Sequence, residues 1–442
     1  MAHPLNDKTP KLKKRRWPLV ATLLACCLLL VWMVAPMLPP SLNAFFTDTT
    51  TISLDKRRSN DSRVIAMPLA MGGRSNARST NDGGVGNGRK SVFIEVCGQG
   101  IQQIEDDSDN NGAFSEFAEK FIPDPVPTLT NAASQMIARA DDNERAVGLY
   151  MMAFLAGVPQ QKERTKENPD CESTKVCREK YDEIARNAAA PHLDALAKLA
   201  ATTNDPNVYA SAYYACRSKK QGMCSSVTAT RWSTLDPENA AAWLEVAGEA
   251  SSQKNEAASN AAIVKASQLK QYDTRAPALE MLLGEIDFSA IGLLDQSSVL
   301  SQLVATKLVF PPYITTLQYC RAVLADSPDR REVCGSIAKL ITDHDQSLLG
   351  QTIALSLGEK AGWAADLVKA KKDEIQAYVY LPSIKMSPED RFSCAGAQQQ
   401  IPIFLDIFKF GELEAAKKRM RANGLTIRTM VEQFLAQSRD KK

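Results

Sequence analysis

Histidine and the common catalytic motifs are scarce in this chain of 442 residues. Only 3 histidines are present, and the two beyond the N-terminal region, His192 and His344, do not have the spacing of zinc ligands. No C-x-x-C, G-x-S-x-G or H-E-x-x-H sequence occurs, which argues against a thiol redox site and against two large classes of hydrolase. The sequence therefore predicts no metal or other cofactor, and it indicates no catalytic residue.

An excess of one charge and long strand-like runs are missing as well. The formal net charge is +2 and the charged residues are mixed along the chain, which argues against a nucleic-acid-binding surface. One run, residues 91–98, is typical of a strand. From about Thr130 to Gln437, apolar residues recur at helical spacing between short turns rich in Asn, Asp, Pro and Gly. We therefore expect an all-α domain over residues 129–440, after a connecting segment, residues 92–128, with a short strand.

The N-terminal region combines a basic cluster with an uncharged apolar stretch. Five of residues 11–16 are Lys or Arg, and residues 17–38 carry no charge. About 20 apolar residues suffice to cross a bilayer. Because positive charge stays on the cytoplasmic side, we expect a cytoplasmic tail, residues 1–16, and a transmembrane helix, residues 17–38. Two alternatives are a cleaved signal with a poor site at residues 42–44, and a lipoprotein signal that would acylate Cys26.

A linker is predicted between this helix and the helical domain. Residues 39–91 are rich in Gly, Ser, Asn, Thr and Arg, and cannot bury enough apolar surface to offset the entropy of ordering. We therefore expect a flexible, disordered tether. Its basic side chains could make weak contact with anionic lipid or cell-wall polymer, although solvated charge is the simpler interpretation. A P-loop-like run within it, residues 83–91, has an extra Arg89 before the lysine and precedes a strand-like run instead of a helix.

The chain has 10 cysteines, and eight of them lie beyond the apolar stretch. An even number on the oxidising side of a membrane predicts disulfides, whereas free buried thiols would be expected of a cytosolic protein. Three pairs each flank a polar interhelical loop, and the remaining two cysteines would tie the strand-like segment to the last helices. Eight cysteines allow 105 connectivities, so the sequence leaves the pairing open. The spacing favours Cys171–Cys177, Cys216–Cys224, Cys320–Cys334 and Cys97–Cys394.

Internal repetition suggests how the helices are arranged. Residues 136–150 parallel residues 199–213: each segment ends a helix, turns at an aspartate (Asp142 or Asp205) and starts another helix. Residues 214–224 and 319–334 form a second, cysteine-bearing pair. Recurring helix pairs bury their apolar faces by stacking, so we expect an α-solenoid.

One segment resembles a known repeat. Residues 235–247 are similar to the opening of a tetratricopeptide repeat, with Trp243, Val246 and Ala247 at its packing positions, although residues 253–255 replace the usual glycine turn. The chain as a whole resembles an uncharacterised group of membrane-anchored envelope proteins from Gram-negative bacteria. The anchor and residues 96–98, 204–216, 231–244 and 358–363 carry this likeness. It implies a single-pass inner-membrane protein with a cytoplasmic N-terminus and a periplasmic bulk, and it implies no activity.

These features favour a membrane-anchored periplasmic helical-repeat scaffold that binds another envelope protein. The alternative is an envelope hydrolase with an active site between helices, for which a deep cleft with converging acids or a Ser–Lys pair would be diagnostic. Two S-x-x-K matches, at Ser251 and Ser336, are interpreted as ordinary helix-surface positions. Six aromatic residues are candidates for a peptide-binding groove, with core packing as the default interpretation: Tyr209, Tyr213, Tyr214, Tyr313, Tyr319 and Trp363.

Overall fold

A computed structural model describes residues 90–106, 120–158, 175–217, 220–307, 309, 311–321, 327–381 and 389–440. The predicted basic tail and transmembrane helix, nearly all of the predicted linker, and Cys171 lie outside these residues. The described residues are largely helical, which confirms the all-α class. Among them, no helix combines the length and the apolar character that crossing a membrane requires.

The elements are numbered in chain order. The strands are β1 (Lys90–Val96) and β2 (Gly100–Asp106). The first seven helices are α1 (Val126–Ile137), α2 (Asp142–Leu155), α3 (Lys175–Thr202), α4 (Pro206–Cys216), α5 (Ala229–Leu235), α6 (Ala240–Ser252) and α7 (Glu256–Ser267). The others are α8 (Leu293–Lys307), α9 (Tyr313–Arg321), α10 (Pro328–His344), α11 (Leu348–Ala361), α12 (Ala365–Tyr380), α13 (Cys394–Ala422) and α14 (Ile427–Asp440). Short 3-10 helices include Gly222–Ser226, Leu279–Glu285 and Glu389–Phe392.

The two strands form an antiparallel hairpin, in which β1 is the strand predicted from the sequence. The sequence analysis missed β2, because its Gln and acidic residues give little strand signal and its conformation depends on pairing with β1. Ile94 and Val96 are buried against Leu294 and Phe392. Strand β1 therefore packs against other parts of the chain, and it begins at Lys90, within the range predicted as linker. Strand β2 is held by its pairing with β1.

The turns of the first repeated pair of segments are similar in the structure. Asp205 caps α4 by accepting the backbone N–H of Asn207 at 2.7 Å. Its counterpart is Asp141, which accepts the N–H of Glu144 at 2.9 Å. Asp142, the residue expected to cap, is instead the first residue of α2. The side chain of Asn143 donates to Asp205 Oδ2 at 2.8 Å, so the two capped ends lie side by side.

Helices adjacent in sequence pack together most extensively, as in the pairs α1–α2, α6–α7 and α10–α11. The segment with the tetratricopeptide resemblance forms α6, and Lys254 makes the α6–α7 turn with a φ of 60°, where the repeat family has a glycine. Packing also joins distant parts of the chain, since α8 contacts α13 and α12 contacts α14. Helix α13 is kinked at Gly411, which has a φ of 82°.

Three of the expected disulfides are present: Cys216–Cys224, Cys320–Cys334 and Cys97–Cys394. The last joins residues separated by 297 positions and attaches the β-hairpin to the first residue of α13. The backbone N–H of Cys97 also donates to the carbonyl of Phe392 at 2.8 Å. Cys177 is disulfide-bonded as well.

Candidate functional site

Four of the six candidate groove aromatics are core residues. Tyr209, Tyr213 and Tyr214 on α4 and Tyr313 on α9 are all buried, so they do not line a groove. Tyr319 and Trp363 are partly buried and pack against the core formed by α6, α7, α10 and α11. The core-packing interpretation therefore describes these rings, and a binding surface has to be sought elsewhere.

Two of the buried tyrosines on α4, Tyr213 and Tyr214, belong to a polar cluster around Glu245, whereas the Tyr209 hydroxyl hydrogen-bonds to the backbone of Thr228. This glutamate on α6 is only 2% exposed. It accepts hydrogen bonds from the Tyr213 hydroxyl and from Arg217 Nη1, each at 3.0 Å. The Arg217 guanidinium also lies over the Tyr214 ring, 5.2 Å from its centroid. Burial raises the pKa of Glu245, and the Arg217 charge only partly counteracts this.

A second cluster contains Tyr272, Tyr313 and Asp345, all of which are buried. The hydroxyls of Tyr272 and Tyr313 are 2.8 Å apart, and Tyr313 also hydrogen-bonds to Asp345 Oδ2. Asp345 Oδ1 accepts the N–H of Ser347 at 2.7 Å. Burial raises the pKa of the Asp345 carboxyl and raises the pKa of both phenols well above their usual value. The phenols therefore stay protonated and act as donors.

Glu412 on α13 extends this polar region. Its Oε2 accepts the N–H of Leu348, the first residue of α11, at 2.8 Å. Burial, together with the negative charge of Asp345, raises the pKa of Glu412. None of Glu245, Asp345 and Glu412 lines either cavity described in the structure. Each carboxylate instead accepts hydrogen bonds from the protein, so these acids hold helices together.

The remaining sequence candidates for chemistry are structural or exposed. His192 lies within α3, and burial lowers its pKa. Lys339 of the second S-x-x-K match pairs with Asp343 on the exposed face of α10, as expected for a surface position. Within the described ranges, no group of three His, Cys, Asp or Glu side chains could hold a metal ion.

One cavity is an open groove of about 660 Å³, which we call the α2–α4 groove. It lies between the start of α2, one face of α4 and the segment that leads into the 3-10 helix Leu279–Glu285. Its lining residues are Asp141, Asn143, Glu144, Val147, Asn207, Ser211, Ala276, Ala278 and Met281.

Local contacts explain how the walls of this groove are positioned. Helix α2 lies close to α1, because Gly148 leaves room where a Cβ would be 2.7 Å from the carbonyl oxygen of Ala133. On the opposite wall, Arg275 has a φ of 50° and donates to Asp236 at 3.1 Å and to the Asn207 side chain at 3.4 Å. Arg275 thereby ties the segment that carries Ala276 and Ala278 to α4.

The groove combines carboxylates with apolar surface. Asp141 and Glu144 have no ion pair with any described cation, because the neighbouring Arg145 pairs with Asp142 at 2.9 Å and Arg139 pairs with Glu285 at 2.7 Å. Met281 is 40% exposed. The groove can therefore offer both an apolar contact and negative charge to a ligand.

Sequence reasoning did not find this groove, since its walls come from segments more than 130 positions apart. The sequence feature that could have indicated this groove is the aspartate turn shared by residues 136–150 and 199–213, because the two capped helix ends form two of its walls. A search of family models, of curated proteins and of solved structures found no match to this chain.

Proposed function

We propose that this protein is a membrane-anchored periplasmic scaffold that binds another envelope protein through the α2–α4 groove. The observation that carries the proposal is the composition of the groove. An exposed methionine and small apolar side chains lie beside two carboxylates without an ion-pair partner among the described residues. A surface of this kind, an apolar contact bordered by polar groups, is typical of a protein-binding site.

The proposed compartment is supported by the cysteines and by the N-terminal sequence. Disulfides persist on the oxidising side of a membrane, and Cys216–Cys224 and Cys320–Cys334 are bonded. The apolar residues 17–38 and the preceding basic cluster supply the anchor and its orientation in this proposal.

The proposed architecture is a solenoid of stacked helix pairs. It is supported by the packing of α1 with α2, of α6 with α7 and of α10 with α11, and by the capped turns shared by α2 and α4. Stacked pairs present side chains from successive helices along one surface, which suits the binding of an extended partner.

The hydrolase alternative has less support. The Asp141 carboxylate accepts the Glu144 N–H, and the Ser211 hydroxyl donates to the Asn207 carbonyl at 3.0 Å, so both groups have structural roles. The most strongly buried acids lie outside the groove.

The test is site-specific photo-crosslinking in intact cells of the source organism. A photo-reactive amino acid replaces Met281 in the groove. In the control it replaces Leu367 on α12, which is apolar and similarly exposed at 45%. We expect the same envelope protein to be crosslinked from position 281 in repeated experiments and not from position 367. Equal yields at both positions, or no product at either, would contradict a groove-based scaffold.

Topology is tested separately with reporters fused to the C-terminus. A reporter that functions only in the periplasm should be active, and one that functions only in the cytoplasm should be inactive. The reverse result would contradict the proposed periplasmic location.

A further inference from the structure

We infer that the α2–α4 groove selects a partner segment in which a lysine or arginine is adjacent to an apolar side chain. This inference rests on the proposed function and adds the chemical class of the partner. Three properties of the groove support it: its negative charge, the apolar surface beside that charge and the volume of the cavity.

The charge balance at the groove favours a cation. Asp141 and Glu144 place two carboxylates at the start of α2, where they line the groove. The dipole of that helix opposes them with only about half a positive charge. Arg275 does not reverse this balance, because Asp236 and Asp273 lie 3.1 and 3.3 Å from its guanidinium.

No cation of the described chain neutralises the two carboxylates that line the groove. Two arginines close in sequence pair with other acids: Arg145 with Asp142, and Arg139 with Glu285. Asp141 uses Oδ1 to accept the Glu144 N–H, and a carboxylate has further acceptor positions. Both carboxylates therefore have acceptor positions for a lysine or arginine of a partner.

The apolar part of the groove explains why the partner should also have an apolar side chain. Val147, Ala276 and Ala278 are small or buried, and Met281 is exposed and can change its rotamer to suit a ligand. The cavity of about 660 Å³ has room for more than one side chain. A lysine or arginine can lay its methylene groups along such a surface while its charged end reaches the carboxylates.

The experiment uses the full-length protein in detergent micelles and a library of short random peptides as the probe. Selections are run on the wild type, on the double variant Asp141→Asn/Glu144→Gln and on Met281→Gln. Asparagine caps helices as well as aspartate does, so the double variant removes charge while preserving the α2 cap. The matched control is Glu256→Gln, which removes an acid from the first turn of α7, another helix with a side-chain cap.

We expect peptides selected on the wild type and on Glu256→Gln to be enriched in Lys or Arg beside Leu, Ile, Met or Phe. The double variant should lose the basic enrichment, and Met281→Gln should lose the apolar enrichment. A peptide selected on the wild type should bind the double variant about tenfold more weakly, since two partly exposed ion pairs are lost. Enrichment without Lys or Arg, the same enrichment on the double variant, or no enrichment would overturn the inference.

Crosslinking separates this inference from the function on which it rests. If the double variant still crosslinks its partner from position 281 with unchanged yield, the groove binds a protein but does not select it by positive charge. If position 281 gives no product and the library gives no enrichment, both proposals are wrong.

Discussion

Glu245 and Arg217 illustrate how single residues hold this core together. Both side chains are removed from most solvent, at 3% and 16% exposure, and they are 3.0 Å apart. Burying a charge is costly unless it is paired and hydrogen-bonded, and Glu245 meets both conditions through Arg217 and Tyr213.

Replacing Glu245 alone should therefore strongly lower the stability of the folded protein. We expect Glu245→Leu to lower the free energy of unfolding by about 3–5 kcal/mol, because Arg217 then loses its buried carboxylate. The double variant Arg217→Met/Glu245→Leu should recover a large part of the loss. Denaturant unfolding of the four proteins of the cycle measures the coupling. Losses that simply add in the double variant would show that the pair is not coupled.

Glu412 predicts a dependence of stability on pH. Burial and the negative charge of Asp345 raise the pKa of Glu412 above its usual value of 4.5, so the folded protein holds a proton on this carboxyl more tightly than the unfolded chain does. Stability from this group is present below about pH 4.5 and is lost as the pH rises through the folded pKa.

The variant Glu412→Gln should remove the loss of stability that accompanies ionisation of Glu412. The glutamine side-chain carbonyl can still accept the Leu348 N–H. We expect a Tm above that of the wild type at neutral pH and close to it at pH 4, measured by thermal unfolding across a pH series. A difference in Tm that is the same at every pH would exclude titration of Glu412 as its cause.

At the scale of an element, the end of α11 explains one of the sequence segments used for the family resemblance. The N–H of Trp363 donates to the carbonyl of Gly358 at 3.0 Å, and the N–H of Gly362 donates to that of Glu359 at 3.2 Å. Gly362 has a φ of 89°. This is a Schellman C-cap, and it places the Trp363 indole directly over Gly358.

The two glycines of this motif should respond to alanine for different reasons. A Cβ at Gly358 would clash with the Trp363 ring, so Gly358→Ala should cost about 1–3 kcal/mol, and adding Trp363→Ala should relieve the clash. Gly362 has open space around its Cα, so Gly362→Ala should cost about 1 kcal/mol through its backbone conformation alone. Denaturant unfolding measures both. Equal costs of Gly358→Ala with and without Trp363 would contradict the steric explanation.

At the scale of the whole molecule, the Cys97–Cys394 bond connects elements that the chain leaves far apart. In the entropic model a disulfide stabilises more as its loop grows, by about 2–3 kcal/mol for a short loop and about 5 kcal/mol for one of several hundred residues. The separations here are 8 residues for Cys216–Cys224 and 297 for Cys97–Cys394.

Removing the Cys97–Cys394 disulfide should weaken the attachment of the β-hairpin before it affects the helices. We expect Cys97→Ser/Cys394→Ser to increase hydrogen exchange in residues 90–106 while exchange in α6 and α7 stays slow. Among the described residues, the hairpin is otherwise held by a small apolar cluster and by the hydrogen bond from Cys97 to Phe392. The matched variant Cys216→Ser/Cys224→Ser should leave the hairpin protected. Mass spectrometry of peptides from the two regions measures this. Unchanged exchange in the hairpin would show that its packing alone holds it.

The particular successes and errors of the sequence analysis have physical causes. Helical periodicity is local, so the all-α class was predictable, and the expected Cys216–Cys224 and Cys320–Cys334 pairs follow from short loops. Strand β2 was missed because its hydrogen bonds come from β1. The adjacent aspartates Asp141 and Asp142 give the same capping signal, and the structure places the cap at Asp141.

The sequence by itself determined the helical class and the aspartate turns, because each depends on residues that are close together in the chain. Short loops favoured the Cys216–Cys224 and Cys320–Cys334 pairs, but the structure decided the connectivity. Only the tertiary structure decided that Tyr209, Tyr213, Tyr214 and Tyr313 lie in the core, and that Asp141, Glu144 and Met281 share a groove. Those outcomes depend on which helices pack against each other when they are far apart in sequence. Helical periodicity indicates which face of a helix is buried, but not which helix packs against that face.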